Sequence, residues 1–255
     1  MVWEARIPQD AVTIFSGGTE GVLSPHITFV VRAEHDTGLV GTVGHTRAFA
    51  PHEVGSSEQG RQVAETVTKM MREGSIEAQD VHLVLVKCPL LTSAKLEAIR
   101  AQRQKPTTTD TYDSMARSRY ASALGIAAAL GEMPEDGIEP QMVSEEAWSS
   151  RASCSSGAEL EDCHILILAS APVCGPKSGE SLNIVSKHME DAMDAKAVLE
   201  LLEKVKSARG KVVQVFAKAE ADPQGHVRGF RHTMNTDSDI HSTRHARAEI
   251  GRAHV

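Results

Sequence analysis

Residues 81–87 read VHLVLVK, a run that is apolar apart from His82 and that ends in a lysine. A short valine- and leucine-rich run bounded by polar residues predicts a buried strand. The preceding segment, residues 59–73, carries apolar residues at helical spacing and stops at Gly74, so it predicts an amphipathic helix. A helix that leads into a strand with a terminal lysine is therefore the unit from which the fold can be built.

The same unit occurs a second time. Residues 212–217 read VVQVFA and are followed by Lys218, and an amphipathic helix predicted over 189–208 ends near Gly210. The mixture predicts a chain of the α+β class. The remaining predicted strands cover 11–15, 27–32 and 164–169, further helices cover 93–104 and 118–131, and Gly/Pro/Ser-weighted linkers cover 36–41 and 174–181.

Two further motifs recur in the same order. SGGTE and SSGAE share the frame S-x-G-x-E, while SRYASA and TRHARA share [ST]-R-[YH]-A-x-A. The offsets between copies are 139, 131 and 125 residues for the Ser, Lys and Arg signals, which indicates one duplicated unit with loops of different length. The aligned positions are, in chain order, Ser16, Lys87, Arg119, Ser155, Lys218 and Arg244.

This order predicts how the chain is divided. We expect 1–36 to be the end of a first repeat, 41–176 a complete second repeat and 182–255 the start of a third. The sequence opens with a Ser signal and closes with an Arg signal, so we expect the first and third repeats to be truncated. The tail 249–255, EIGRAHV, resembles a translated sequencing adapter, and we expect it to be artefactual.

Composition excludes several classes of function. The 255 residues carry 27 Lys and Arg against 34 Asp and Glu, a net charge of −7, with five Phe, two Trp and two Tyr. Nucleic-acid binding favours a basic face with stacking rings, so we expect no nucleic-acid partner. No apolar run approaches the ~20 residues that span a bilayer, and the first residues lack a signal-peptide pattern, so we expect no membrane partner and a cytoplasmic protein.

The recurring residues are suited to acyl chemistry. A Ser in a Gly-flanked turn can present its hydroxyl beside backbone N–H groups, as a nucleophile beside an oxyanion hole requires. A Lys at a strand end could take the proton of that hydroxyl, and Arg supplies fixed donors for ligand oxygens. Taken singly, each residue also fits a structural turn, a solvated strand end or a surface ion pair, and the Gly-rich turns also resemble phosphate-binding loops.

Histidine and cysteine give weaker signals. His241 and His245 lie four residues apart near His232, but the other repeat has no matching cluster, so we expect ordinary histidines there and no catalytic metal. The cysteines form no CxxC pair, and we expect reduced thiols in or near the core. They are Cys88, Cys154, Cys163 and Cys174.

Six segments together resemble the family of ring-opening amidohydrolases that comprises cyanuric acid hydrolase and barbiturase. The resemblance runs from about Phe15 to Ala248. It implies three α+β repeats around a pseudo-threefold axis, with a central β-barrel inside and helices outside. The segments are SGGTEGVLSPH, VLVKCPLLT, TTTDTYDSMARSRYASALG, SSGAELE, VFAKAEADPQGHVRGFRHTM and SDIHSTRHARA.

The resemblance also assigns roles to residues. Ser155 corresponds to the nucleophile and Lys87 to its general base, and Lys218 corresponds to a supporting lysine. Glu220 matches a ligand of a structural Mg²⁺ or Ca²⁺ whose other ligands have no counterpart in this sequence. The substrate contacts implied by the resemblance are Ser16, Gly17, Arg119, Ser155, Ser156 and Arg244.

The implied reaction is hydrolytic opening of cyanuric acid to carboxybiuret, and then biuret and CO₂, without an organic cofactor. Because two repeats are incomplete, we expect the 255-residue chain by itself to be inactive or nearly so. Barbituric acid, which would open to ureidomalonate, has CH₂ in place of one ring N–H, and the sequence does not separate the two substrates. The resemblance also implies a homo-oligomer, a tetramer. Two other classes stay open: a non-catalytic small-ligand binding protein on the same fold, and a metal-dependent amidohydrolase, against which the absence of an HxH after any predicted strand argues.

Overall fold

The computed structural model of the chain describes residues 11–14, 28–31, 36–170, 181–191, 194–217, 226–228 and 230–231. The chain divides into two compact units. The first contains residues 1–15 and 33–184, and the second contains residues 16–32 and 185–255. The predicted complete repeat, 41–176, lies within the first unit, while the repeat boundaries themselves stay a prediction.

The first unit has a mixed α/β fold. Its strands are β1 (Leu39–His45), β2 (Val81–Pro89), β3 (Ala152–Gly157) and β4 (His164–Ser170). Its helices are α1 (Ser57–Glu73), α2 (Ser93–Ala101), α3 (Thr111–Ala129) and α4 (Ile138–Ser144). The described part of the second unit holds α5 (Ala195–Ser207) and the two short strands β5 (His226–Val227) and β6 (Phe230–Arg231).

The four strands of the first unit form one sheet in the order β1-β4-β2-β3. Strand β4 runs antiparallel to both β1 and β2, whereas β2 and β3 are parallel and are joined through α2, α3 and α4. Alternate β2 residues Val84, Val86 and Cys88 are fully buried in the core. Because strand side chains alternate between faces, Lys87 lies on the face opposite that core.

Local sequence explains where the helices start. Ser56 accepts a hydrogen bond from the Glu58 N–H, and Asp110 accepts one from the Asp113 N–H, so both α1 and α3 begin behind side-chain caps. The predicted stop of α1 at Gly74 is confirmed. Helix α5 begins later than the predicted 189, because the Asp194 carboxylate caps it by accepting from the Ala197 N–H.

Several predicted elements were wrong. The described parts of predicted strands 11–15 and 27–32, and the whole of 212–217, form no strand. Strand β1 begins at Leu39, so the second half of the predicted linker 36–41 is strand. Most of the other predicted linker, 174–181, lies outside the described residues. Among the described residues, no helix has the length and apolar character needed to cross a bilayer.

Candidate functional site

The parallel pair β2 and β3 brings Lys87 and Ser155 together. Their Cα positions are directly opposed in the register, near the carboxyl ends of both strands. Directly opposed residues of a parallel pair lie on the same face of the sheet, and carboxyl ends of parallel strands are where such sheets usually bind ligands. The sequence predicted Ser155 in a Gly-flanked turn; instead it lies in β3, and the turn follows at Ala158 and Glu159.

The two adjacent serines lie on opposite faces of the sheet. Ser155 shares the face of Lys87, and its hydroxyl donates a long hydrogen bond of 3.5 Å to the Val86 carbonyl. Ser156 is paired with Cys88 and shares its face. The Ser156 Oγ is shielded from solvent and has no hydrogen-bond partner among the described residues. Its hydroxyl therefore faces the core side of the sheet, and Ser156 can act on the Lys87 side only through its backbone.

Lys87 is partly shielded and lies beside a carboxylate. Its side chain is 12% exposed, and its Nζ lies 3.8 Å from Oε1 of Glu159. Gly157 makes this approach possible, because a Cβ at that position would collide with the Glu159 carboxylate. The Lys87 side chain is therefore largely shielded from water, with a carboxylate on one side and the Ser155 strand on another.

A second lysine fixes the loop that carries Glu159. Lys95, on α2, is only 7% exposed. Its Nζ donates to the Leu160 carbonyl at 2.6 Å and lies 3.3 Å from Oε1 of Glu161. An ammonium group buried to this degree needs such partners to offset its lost hydration. The loop after β3 is thus tied to α2 through Lys95.

Arg119 lies on α3, and a buried hydrogen-bond network positions that helix. Gln59 of α1 is fully buried, and its amide nitrogen donates to Ser118 Oγ at 2.8 Å and to Ser122 Oγ at 2.9 Å. Arg119 itself donates from Nε to the Met115 carbonyl at 3.3 Å. The network holds α1 against α3 immediately beside Arg119.

The pKa of the Cys88 thiol depends on the groups that surround the end of β2. Burial raises the pKa of its thiol; hydrogen bonds with Ser118 and Ser122, and then the positive charges of Arg119 and Lys87, act in the opposite direction. Arg119 is therefore close enough to act on the residue adjacent to Lys87. The three described cysteines, Cys88, Cys154 and Cys163, are free and buried, as predicted; Cys174 lies outside the described residues.

An ion pair at the start of β3 stabilises the register. Arg151 donates to the Val81 carbonyl at 3.3 Å, and its Nε lies 3.1 Å from Oε1 of Glu132. Burial raises the pKa of Glu132, but hydrogen bonds from Ser149, Ser150 and Arg151 outweigh it, so the pKa is lowered overall. Arg151 thus joins the start of β3 to the start of β2, and this register places Ser155 opposite Lys87.

The structure describes only part of the predicted site. It describes Lys87, Arg119, Ser155 and Ser156. The other predicted site residues lie outside the described residues, so their roles stay predictions. They are Ser16, Gly17, Lys218, Glu220 and Arg244.

Sequence reasoning missed three residues that shape the described part. Glu159 was visible as the last residue of the S-x-G-x-E frame, but no role was assigned to it. Lys95 and Arg151 gave no signal, because a charged residue that binds backbone carbonyls is indistinguishable in sequence from a solvated one. Their contacts depend on the tertiary fold.

The chain is similar to known proteins over nearly its whole length. A profile of the family described as "Amidohydrolase ring-opening protein" matches residues 3–254. A cyanuric acid amidohydrolase of Sarocladium sp. is 62% identical over 252 residues, covering 98% of this chain and 73% of the relative. One of Pseudonocardia dioxanivorans is 51% identical over 255 residues, with the same two coverages.

Solved structures show the same likeness. The chain matches a structure reported as "Cyanuric acid hydrolase: evolutionary innovation by structural concatenation" with a TM-score of 0.74 and 40% identity, over 94% of this chain and 69% of that one. The cyanuric acid hydrolase of A. caulinodans matches with a TM-score of 0.78 and 39% identity, with the same coverages. Together with a mixed α/β fold in which Lys87 opposes Ser155, these similarities show that the chain belongs to the ring-opening amidohydrolase family.

Proposed function

We propose that this protein opens the ring of cyanuric acid by hydrolysing one of its amide C–N bonds, with Ser155 as nucleophile and Lys87 as general base. The names of its relatives support the substrate. One structural observation carries the proposed mechanism: Lys87 and Ser155 are opposed on the same face at the carboxyl ends of adjacent parallel strands. A non-catalytic binding protein would not require an amine beside a serine hydroxyl.

In the first step, Ser155 attacks a ring carbonyl. Its hydroxyl turns from the Val86 carbonyl toward Lys87, whose neutral amine takes the proton as Oγ bonds to carbon. The carbonyl π electrons move onto oxygen and form a tetrahedral oxyanion, which nearby N–H groups stabilise. Arg119 supplies planar donors for another oxygen of the ring.

In the second step, the oxyanion collapses and the ring C–N bond breaks. The departing nitrogen takes the proton that Lys87 holds, and the opened ring remains as an ester of Ser155. Water then loses a proton to Lys87 and attacks the ester carbonyl. Ser155 Oγ leaves and takes that proton back, which releases carboxybiuret and restores both residues.

The proposal extends to the residues of the other repeats. In a protein with three complete repeats, three equivalent stations around a pseudo-threefold axis would match the three carbonyl edges of cyanuric acid. Ser16 with Gly17 and Arg244 would bind the ring, and Lys218 would support the third station. Ser156, whose side chain lies on the opposite face of the sheet from Lys87, would contribute through its backbone beside Ser155. Glu220 would bind a structural Mg²⁺ or Ca²⁺, and no step of the reaction passes through that ion.

The test is the loss of cyanuric acid and, separately, of barbituric acid in the presence of the purified protein with all three repeats. We expect the wild type to open cyanuric acid faster than barbituric acid. Ser155→Ala and Lys87→Ala should each lower kcat/KM by about a thousandfold or more, the size of effect expected when a nucleophile or its base is removed. Lys69→Ala, an exposed lysine on α1, is the matched control.

Three results would contradict the proposal. Full activity of Ser155→Ala would rule out the nucleophile, and full activity of Lys87→Ala would rule out the base. Faster turnover of barbituric acid would show that barbituric acid is the substrate and would leave the proposed mechanism in place. Binding of either ring without turnover would favour the non-catalytic alternative.

A further inference from the structure

A row of four side chains crosses the face of the sheet that carries Lys87. In the register, Ser155 opposes Lys87, Lys87 opposes His164 of β4, and His164 opposes His45 of β1. Directly opposed residues lie on one face, so the two histidines lie beside the proposed catalytic pair without belonging to it.

Asp162 completes a compact group with these histidines. It lies two residues before His164, at the entrance to β4. Its Oδ2 is 3.0 Å from Nδ1 of His45, and its Oδ1 is 3.3 Å from Nε2 of His164. The two rings meet edge to face, with centroids 4.4 Å apart. One ligand atom from each residue lies within 4.8 Å of the other two.

We propose that His45, Asp162 and His164 form a binding site for a divalent transition-metal ion, of which Zn²⁺ is the best match. Two imidazoles and one carboxylate are a donor set that suits Zn²⁺, Co²⁺ or Ni²⁺. Mg²⁺ and Ca²⁺ prefer oxygen ligands, and this group offers one carboxylate. The site therefore differs in its chemistry from the Mg²⁺ or Ca²⁺ site proposed at Glu220.

The backbone holds the donors in place before a metal arrives. His45 is the last residue of β1 and His164 the first of β4, so both are fixed by the same antiparallel ladder. The His45 side chain is 46% exposed, while those of Asp162 and His164 are 24% and 20% exposed. An ion bound here can enter from the His45 side and keep water in its remaining coordination positions.

One feature limits the expected affinity. Metal-bound histidines usually donate their second ring N–H to an acceptor, and loss of such a partner typically weakens binding about 10- to 100-fold. Nδ1 of His164 is buried and has no hydrogen-bond partner among the described residues. We therefore expect a site weaker than a structural zinc centre.

The alternative is an Asp162 carboxylate that only accepts hydrogen bonds from two histidines. Titration with Co²⁺ distinguishes the two, because Co²⁺ in a four- or five-coordinate protein site absorbs visible light far more strongly than the hydrated ion. The protein is the full 255-residue chain without a histidine tag. The variants are His45→Gln, Asp162→Asn and His164→Gln, and the matched control is His82→Gln at the opposite end of β2, where His82 pairs with Ser170.

We expect saturable absorption at one Co²⁺ per chain, displaced by Zn²⁺ and not by Mg²⁺. Each of the three ligand variants should weaken binding at least about tenfold, whereas His82→Gln should bind as the wild type does. Circular dichroism establishes that each variant is folded, and His45→Gln, which changes a half-exposed side chain, serves if His164→Gln does not fold. No saturable absorption in the wild type, or equal absorption in His45→Gln and the wild type, would overturn the proposal.

Discussion

Two nucleophilic side chains lie at the end of strands β2 and β3, and their surroundings favour serine over cysteine. The Cys88 thiol is fully buried, and burial raises its pKa. Its Sγ–H donates to the Ser155 carbonyl at 3.2 Å, so the thiol acts as a structural donor. A nucleophilic cysteine needs a lowered pKa and access to substrate, and Cys88 has neither.

Cys88→Ala should therefore retain ring-opening activity within about threefold of the wild type. Removal of a buried sulfur leaves a small cavity, and we expect a loss of about 1–2 kcal/mol in the free energy of unfolding. Iodoacetamide should leave activity intact in the folded protein, because the thiol is buried and protonated. Inactivation by this reagent that disappears in Cys88→Ala would instead identify Cys88 as a residue that the reaction requires.

At the scale of elements, Lys95 determines where the loop after β3 lies. Lys95→Met keeps the length of the side chain but leaves the Leu160 carbonyl without its donor. A buried acceptor that loses its partner costs about 1–3 kcal/mol. We expect urea denaturation to show a loss of this size, together with lower kcat/KM, because Glu159 beside Lys87 is carried by the same loop. Lys69→Met, at an exposed position of α1, should change neither quantity.

The Glu132–Arg151 ion pair makes the free energy of unfolding depend on pH. The folded pKa of Glu132 is below its usual value of 4.5, so its charged form stabilises the fold above that pH. This contribution is lost as the pH falls through the lowered folded pKa. Glu132→Gln should reduce the free energy of unfolding by about 1–2 kcal/mol at pH 7. The difference from the wild type should shrink as the pH falls below 4.5, as measured by urea denaturation across pH. A difference that is constant from pH 7 to pH 3 would contradict this role.

The same elements explain what could be predicted from sequence. Strands β2 and β4 are central and buried, so their apolar runs were recognisable. Strand β1 was not, because Gly44 interrupts it; a Cβ there would lie 2.7 Å from the Met70 sulfur, so the glycine serves the packing of α1. Strand β3 reads ASCSSG, whose small polar residues favour a turn, and only its pairing with β2 makes it a strand.

Some residues of the candidate site could be predicted from the sequence, and others could not. Lys87, Ser155 and Arg119 were identifiable because they recur in a fixed order along the chain. The group His45–Asp162–His164 could not be found from spacing, because 117 residues separate His45 from Asp162 and only the β1–β4 ladder joins them. The predicted strand 212–217 was wrong because its apolar residues are not buried. Val213 and Val215 are 72% and 64% exposed, and an apolar run without a buried face gives no strand.

At the scale of the whole molecule, the two units differ in how much of each helix is buried. Helix α1 buries seven residues, among them Val63 and Val67, in the core of the first unit. Helix α5 of the second unit buries only Ala197, and its Leu199 is 61% exposed. Amides in elements with few buried contacts open locally, whereas those in a central sheet open only when the protein unfolds.

Native-state hydrogen exchange should therefore rank the elements by the free energy of the opening that exposes their amides. Amides of β2 and β4 should exchange with the free energy of global unfolding, and those of α5 should exchange by local opening at a free energy lower by roughly 3 kcal/mol or more. Addition of low urea should speed exchange in β4 before it affects α5, since local opening exposes little new surface. If α5 instead exchanged as slowly as β4, another protein surface would have to cover Leu199 and its neighbours. A second measurement at tenfold lower protein concentration separates these cases, because cover provided by a further copy of the chain would dissociate on dilution and cover within one chain would not.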